Sequence, residues 1–201
     1  MALVANTSPQ ITGKSFLFEM LETLVSSVIV ILVIYSTVAF PELVVGSSME
    51  PSFYTGERIL VEKLSKHFTP FSRGDVVVLH PPGNDAIDYV KRVVGVPGDV
   101  VKIYDCKVYI KTGDQSFVYE EGYLKDDVCT QGGAKLKDGR SFKIEAGSFL
   151  VMGDNREHSM DSRAFGLVSG DRIVGRVVFK FWPPSKVGFI TESPGNVDSA
   201  K

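Results

Sequence analysis

Between Leu24 and Phe40 the chain carries no charged side chain and is built mostly from Val, Ile and Leu. No other feature restricts the fold so strongly. Wound as a helix at about 1.5 Å per residue, this run extends roughly 26 Å, close to the thickness of a bilayer's hydrocarbon core. Extending it back to Phe16 admits Glu19 and Glu22, which suit a headgroup boundary. A cleaved signal peptide is the rival reading. Against it, Lys14 is the only side-chain cation ahead of the run, and the apolar stretch is long for a signal core. The expectation is a retained single-pass anchor over residues 16–40, behind a polar, poorly ordered tail over 1–15. The flanking charges are too sparse to set its orientation.

The rest of the chain reads as strands. Leu43–Val45, Ile59–Leu64, Val76–His80, Ile87–Val94, Val100–Ile103, Lys107–Lys111, Ser148–Met152 and Ile173–Phe181 are short apolar or alternating runs. Gly, Pro, Asn and Asp punctuate them, without the strand–helix alternation of an α/β protein. The stretch from Gly113 to Arg140 is polar, Gly-rich and weakly periodic. It reads as an insertion, within about 105–145, in a β domain spanning 41–191. A polar tail follows over 192–201 and is expected to be disordered. The formal charge of −2 gives no electrostatic case for nucleic acid, and three His with two Cys are too few for an obvious metal cage. No metal and no cofactor is expected.

Three segments carry side chains suited to chemistry. In Gly46-Ser47-Ser48-Met49-Glu50-Pro51-Ser52, two hydroxyls lie between a permissive Gly and a rigid Pro. Serine is a poor nucleophile without a base, so this stretch alone also fits a polar loop. Lys91 interrupts the apolar Ile87–Val94 run. Period-2 alternation puts it on the face of Tyr89 and Val93, with Arg92 on the other. A buried lysine loses water around its charged form, its pKa falls, and the neutral amine becomes a competent base. A lysine at a strand edge with its stem snorkelling to solvent is the plainer alternative. Gly153–Arg163 is dense in Asp, Arg, Ser and His. There Asp154 or Asp161 is expected to pair with Arg156 or Arg163, and His158 has no evident partner for a Ser-His-Asp triad.

Together these segments resemble the type I signal peptidases, the Ser-Lys leader peptidases. The matching stretches are Gly46–Pro51, Arg73-Gly74-Asp75-Val76-Val77, Tyr89–Asp99 and Gly153–Arg156 through Ser159, Asp161, Ser162 and Arg163, in the family's order behind an apolar segment. The resemblance implies a mainly β, signal-peptidase-like catalytic domain with a smaller inserted subdomain, preceded by one N-terminal transmembrane helix. It implies Ser48 as nucleophile, Lys91 as general base and Ser159 positioning the amine. Asp161 and Arg163, with Asp154, would support the site, and the Ser48 N–H would face the oxyanion. Some relatives add a hydroxyl two residues before the nucleophile, where this chain has Gly46.

The resemblance also implies partners and place. The substrates are signal peptides of exported preproteins, cut outside the cytosol beside a plasma or thylakoid-type membrane; the lipid bilayer and the export machinery are further expected partners. Val44, Met49, Phe53, Tyr89 and Val90 are the expected substrate contacts. Their apolar, shallow face admits Ala one and three residues before the cut and excludes large or charged side chains. Self-cleaving repressors share a Ser-Lys dyad but carry a DNA-binding motif where this chain has its apolar run. A non-enzymatic, membrane-anchored β domain that binds peptides or partners is the alternative of a different class. An extracytoplasmic location would permit a bridge between Cys106 and Cys129, the only two cysteines.

Overall fold

The computed structural model describes residues 13–125 and 127–190. The N-terminal tail before Gly13 and the C-terminal tail from Glu192 lie outside the described residues. The chain divides into two units, 1–38 and 39–201.

In the first unit, helix α1 runs Gly13–Thr37. Its Phe16–Tyr35 portion is long and apolar enough to cross a membrane, with a mean hydropathy of 2.3. Four hydroxyls on this helix are turned inward to its own backbone. Thr23, Ser26 and Thr37 donate to carbonyls one turn back, and Ser27 donates to Leu24. Bonded this way, these hydroxyls present no free donor on the helix surface.

The second unit is mainly β. Its strands are β1 (Ala39–Leu43), β2 (Arg58–Glu62), β3 (Val76–Leu79), β4 (Tyr89–Gly95), β5 (Val100–Tyr104), β6 (Lys107–Thr112), β7 (Gln115–Val118), β8 (Ser141–Lys143), β9 (Ser148–Met152), β10 (Val168–Ser169), β11 (Ile173–Trp182) and β12 (Gly188–Phe189). A single helical turn, α2 (Ser162–Phe165), precedes β10. The larger sheet has the order β1-β2-β11-β3-β4-β9-β10, with β12 also on β11; the smaller has the order β7-β6-β5-β8. Every pairing is antiparallel.

The first strand begins earlier than the sequence suggests. Ala39 and Phe40, expected in the apolar helix, belong to β1, where Phe40 pairs with Val61 and Pro41 with Leu60. Hydrophobicity alone does not distinguish the end of a membrane helix from an apolar strand. Pairing with β2 decides it, and β1 is an edge strand, where a proline's missing donor is tolerated. Phe40 packs against the buried cluster of Val44, Met49, Phe53, Ile59 and Val61.

Among the described residues of the weakly periodic stretch Gly113–Arg140, β7 is the one strand of the second sheet; that sheet is built mainly from β5 and β6, and it shares a core with the first. Val101, Ile103, Val108, Ile110 and Phe117 pack against Val94, Leu150 and Met152 of the larger sheet. Cys106 and Cys129 are joined by a disulfide, and Thr130 N–H donates to Cys106 C=O beside it.

Candidate active site

The loop after β1 is folded back by its own backbone. Val44 N–H donates to Glu57 C=O, Gly56 N–H to Val44 C=O, and Phe53 N–H to Met49 C=O. Thr55 Oγ1 bridges both backbone groups of Gly46 at 3.0 Å. Gly46 takes φ +101°, a left-handed conformation that favours glycine. Met49 and Phe53 are buried under the loop. These contacts leave Ser48 half-buried at the loop's crest and Ser47 exposed.

Strand β4 brings Lys91 to this crest. Its side chain is buried, and Nζ lies 2.8 Å from Ser48 Oγ and 2.9 Å from the Val90 carbonyl. The Tyr89 ring centroid is 5.0 Å from the same nitrogen. Burial lowers the Lys91 pKa, and the charges of Asp161 and Asp154 only partly restore it, so it falls from its ordinary 10.5 to about 8.

The Gly153–Arg163 segment fixes the other side. Asn155 N–H donates to Ser48 C=O at 3.0 Å, and Asn155 Nδ2 donates to Ser47 C=O at 3.1 Å. Among the described residues no hydrogen bond occupies the Ser48 N–H. Gly153 is packed so closely that a Cβ there would lie 2.2 Å from Ser159 Oγ and 2.4 Å from Ser48 O. Asp161 accepts from Gly153 N–H and pairs with Arg163 at 2.8 Å. Burial opposes ionisation of Asp161, but the Arg163 guanidinium and the Gly153 N–H outweigh it and hold the carboxyl below its ordinary range. Ser159 Oγ is buried without a hydrogen-bond partner among the described residues, so the Val90 carbonyl, not Ser159, is the second partner of Lys91.

The partner of Asp154 differs from expectation. Asp154 takes both carboxylate oxygens to Arg92, at 2.9 and 2.6 Å, while Arg156 turns to Glu121, Thr130 and Gly153 C=O. Arg92 also stacks 3.9 Å from the Tyr123 ring. Sequence reasoning missed Arg92, Glu121 and Asn155 as parts of the site. The available signal was Arg92 itself, a second charge inside an apolar strand, on the face opposite Lys91.

An open groove of about 590 Å³ runs past the Ser48–Lys91 pair. Val44, Met49, Tyr89 and Val90 line it as expected, joined by Met160 and the exposed His158. Phe53 does not line it; it is buried behind the groove in the core with Val44 and Met49, its ring 4.6 Å from Lys180 Nζ. Glu42 and Asp88 are unexpected carboxylates on the groove walls.

A model of the signal peptidase family, peptidase S26, matches residues 17–182. The chain belongs to that family. Signal peptidase IB of Staphylococcus aureus (strain MRSA252) is 37% identical over 193 residues, covering 91% of this chain and 100% of that one. Signal peptidase I of Leptolyngbya laminosa is 35% identical over 189 residues, covering 90% of this chain and 88% of the other. A crystal structure of a signal peptidase I from Enterococcus faecalis V583 matches with TM-score 0.42 and 24% identity, covering 54% of this chain and 97% of that one. Membership makes this chain a serine peptidase, a hydrolase of the signal peptidase I type.

Proposed function

We propose that this signal peptidase uses Ser48 as nucleophile and Lys91 as general base to cut signal peptides from exported preproteins. The 2.8 Å approach of Lys91 Nζ to Ser48 Oγ inside the groove carries this reading. A neutral amine has two N–H donors and one lone pair. One N–H is engaged by the Val90 carbonyl, which leaves the lone pair free to accept the Ser48 hydroxyl proton. With a pKa of about 8, roughly a tenth of the Lys91 population is neutral at pH 7.

The reaction then runs through an acyl-enzyme. Ser48 Oγ attacks the scissile carbonyl as its proton passes to Lys91. The Ser48 N–H faces the developing oxyanion, and the Asn155 bonds to the Ser47 and Ser48 carbonyls hold that peptide plane still. The Lys91 ammonium returns its proton to the departing amine. A water gives a proton to Lys91 and attacks the ester, and the Lys91 ammonium passes that proton to Ser48 Oγ as the acyl group leaves, restoring Ser48. Asp161, Arg163 and Asp154 act at one remove, by holding the Gly153–Ser159 segment against the serine loop. The unpartnered Ser159 hydroxyl is the proposed further contact for the Lys91 amine during turnover.

The substrate enters as an extended strand along the groove, with the residue before the cut against the apolar Val44–Val90 walls. Cleavage after small-x-small sequences such as Ala-x-Ala follows from walls this shallow. Helix Phe16–Tyr35 is the proposed anchor, with the β unit on the extracytoplasmic side of a plasma or thylakoid-type membrane. The bilayer and the export machinery are its proposed neighbours. The test is processing of one preprotein by wild type, Ser48→Ala, Lys91→Ala, Ser47→Ala and His158→Ala. The first two variants are expected to lose activity by 10³-fold or more while staying folded, and the last two to keep most of it. Near-wild-type processing by Ser48→Ala refutes the mechanism.

A further inference from the structure

We infer that Lys180, paired with Glu57 beneath the serine loop, is a positioning residue for the nucleophile. The inference rests on Ser48 as the proposed nucleophile and adds what holds its loop from below. The loop is closed at its base, where Val44 N–H donates to Glu57 C=O and Gly56 N–H donates to Val44 C=O. Those bonds do not reach its middle, where Ser52 and Phe53 lie. Strand β11 supplies the missing hold. Lys180 pairs with Ile59 across the β11–β2 ladder, and its side chain turns inward under the loop. Its Nζ donates to Ser52 C=O at 3.0 Å, pairs with Glu57 Oε2 at 2.5 Å and stands 4.6 Å from the Phe53 ring centroid. One ammonium thus meets three residues of the serine loop.

The choice of side chain points to position rather than to stability. Lys180 and Glu57 are only 8% and 3% exposed, and taking both charges out of water is costly. Ile173 and Val177, also buried on β11, are apolar. A well-packed apolar residue at 180 would serve the fold as well, but it could not donate to Ser52 C=O. Lys186 holds the other Glu57 oxygen at 2.9 Å and lies 4.3 Å from the Tyr54 ring centroid, so the carboxylate has one fixed setting. Ser52 is tied at its hydroxyl too, by Arg92 Nη2 at 3.4 Å. Arg92 follows Lys91 on β4. The loop that carries Ser48 is therefore tied through Ser52 both to β11 and to the strand of its base, and the 2.8 Å approach of Lys91 to Ser48 depends on that height.

The experiment compares wild type, Lys180→Met and the Glu57→Gln, Lys180→Met double variant on one preprotein. The single variant leaves the Glu57 carboxylate short of a partner and is expected to lose both stability and kcat. The double variant removes both charges, so its denaturant midpoint should return toward that of wild type. Its kcat should stay at least about tenfold low with KM changed less than about twofold, because Ser52 C=O still lacks its donor while the groove walls are untouched. The pH profile of kcat/KM should keep its midpoint near the Lys91 value of about 8. If the single variant does not fold, the double variant decides alone. Recovery of kcat together with stability overturns the inference, by showing that the pair only supports the fold, and leaves the proposed function standing. A displaced pH midpoint also overturns it, by showing that the Lys180 charge acts on Lys91 and not through the loop. Processing by Ser48→Ala at the wild-type rate removes the function and the inference with it.

Discussion

The backbone N–H of Asn155 donates to the carbonyl of Ser48 at 3.0 Å. This one bond joins the two segments richest in chemical side chains. Its geometry depends on Gly153, because no side chain fits between that backbone and the serine loop. Gly153→Ala would put a Cβ 2.4 Å from Ser48 O and 2.2 Å from Ser159 Oγ. A displacement of the serine loop on the ångström scale is expected to lower kcat about 100-fold. Steady-state kinetics on the folded variant check this, and unchanged kcat would show that the loop absorbs the methyl without moving.

With Lys91 as the proposed general base, activity depends on pH in one direction. The neutral amine is then the active form and its pKa is about 8, so kcat/KM should rise about tenfold per pH unit below that value and level off above it. The same shift has a stability sign. Unfolded Lys91 holds its proton up to its ordinary 10.5 and the folded side chain only to about 8. Burying it therefore costs roughly 3 kcal/mol below pH 8, a cost relieved between pH 8 and 10.5. Lys91→Met should abolish cleavage yet stabilise the fold at pH 7, and denaturant unfolding at pH 7 and 10 measures both the sign and its pH dependence.

Asp154 and Arg92 form a pair whose side chains are 0% and 5% exposed. Removing one member leaves the other charged and buried. Asp154→Ala is expected to cost about 3–5 kcal/mol, more than loss of a surface pair, which is worth at most about 1 kcal/mol. Unfolding curves for Asp154→Ala against Asp85→Ala, whose partner Arg172 lies at the surface, make the comparison.

The disulfide between Cys106 and Cys129 spans 23 positions. In the chain-entropy model closing such a loop contributes roughly 3 kcal/mol. Thiol counting in denaturant without reductant should find no free thiol. The Cys106→Ala, Cys129→Ala double variant should unfold at correspondingly lower denaturant.

Substrate size next to the cut tests the apolar walls. Val44 and Val90 offer little depth, so Phe or Leu at that position should be processed at least about 100-fold more slowly than Ala. A preprotein series varied at this residue alone measures the ratio, and equal rates for Phe and Ala would rule out a steric pocket.

Much of this molecule was legible in the chain itself. The charge-free run predicts a membrane-length helix because no soluble element needs so many consecutive apolar residues. Period-2 patterns and turn residues mark most strands, and Ser148–Met152 coincides with β9, because strand alternation is a local property. The four motifs, in order, point to the family and to Ser48 and Lys91. What pairs with what was decided only by the tertiary structure. Asp154 meets Arg92 across 62 positions in preference to Arg156, two residues away. Sheet order and burial, which no local pattern encodes, determine which charges share a dry space. The end of the helix was set in the same way, since Ala39 and Phe40 become strand through pairing with β2. Phe53 is drawn from the expected groove into the core. Glu42 and Asp88 carry no motif, and only the tertiary fold brings these two carboxylates, one from β1 and one just before β4, to one groove.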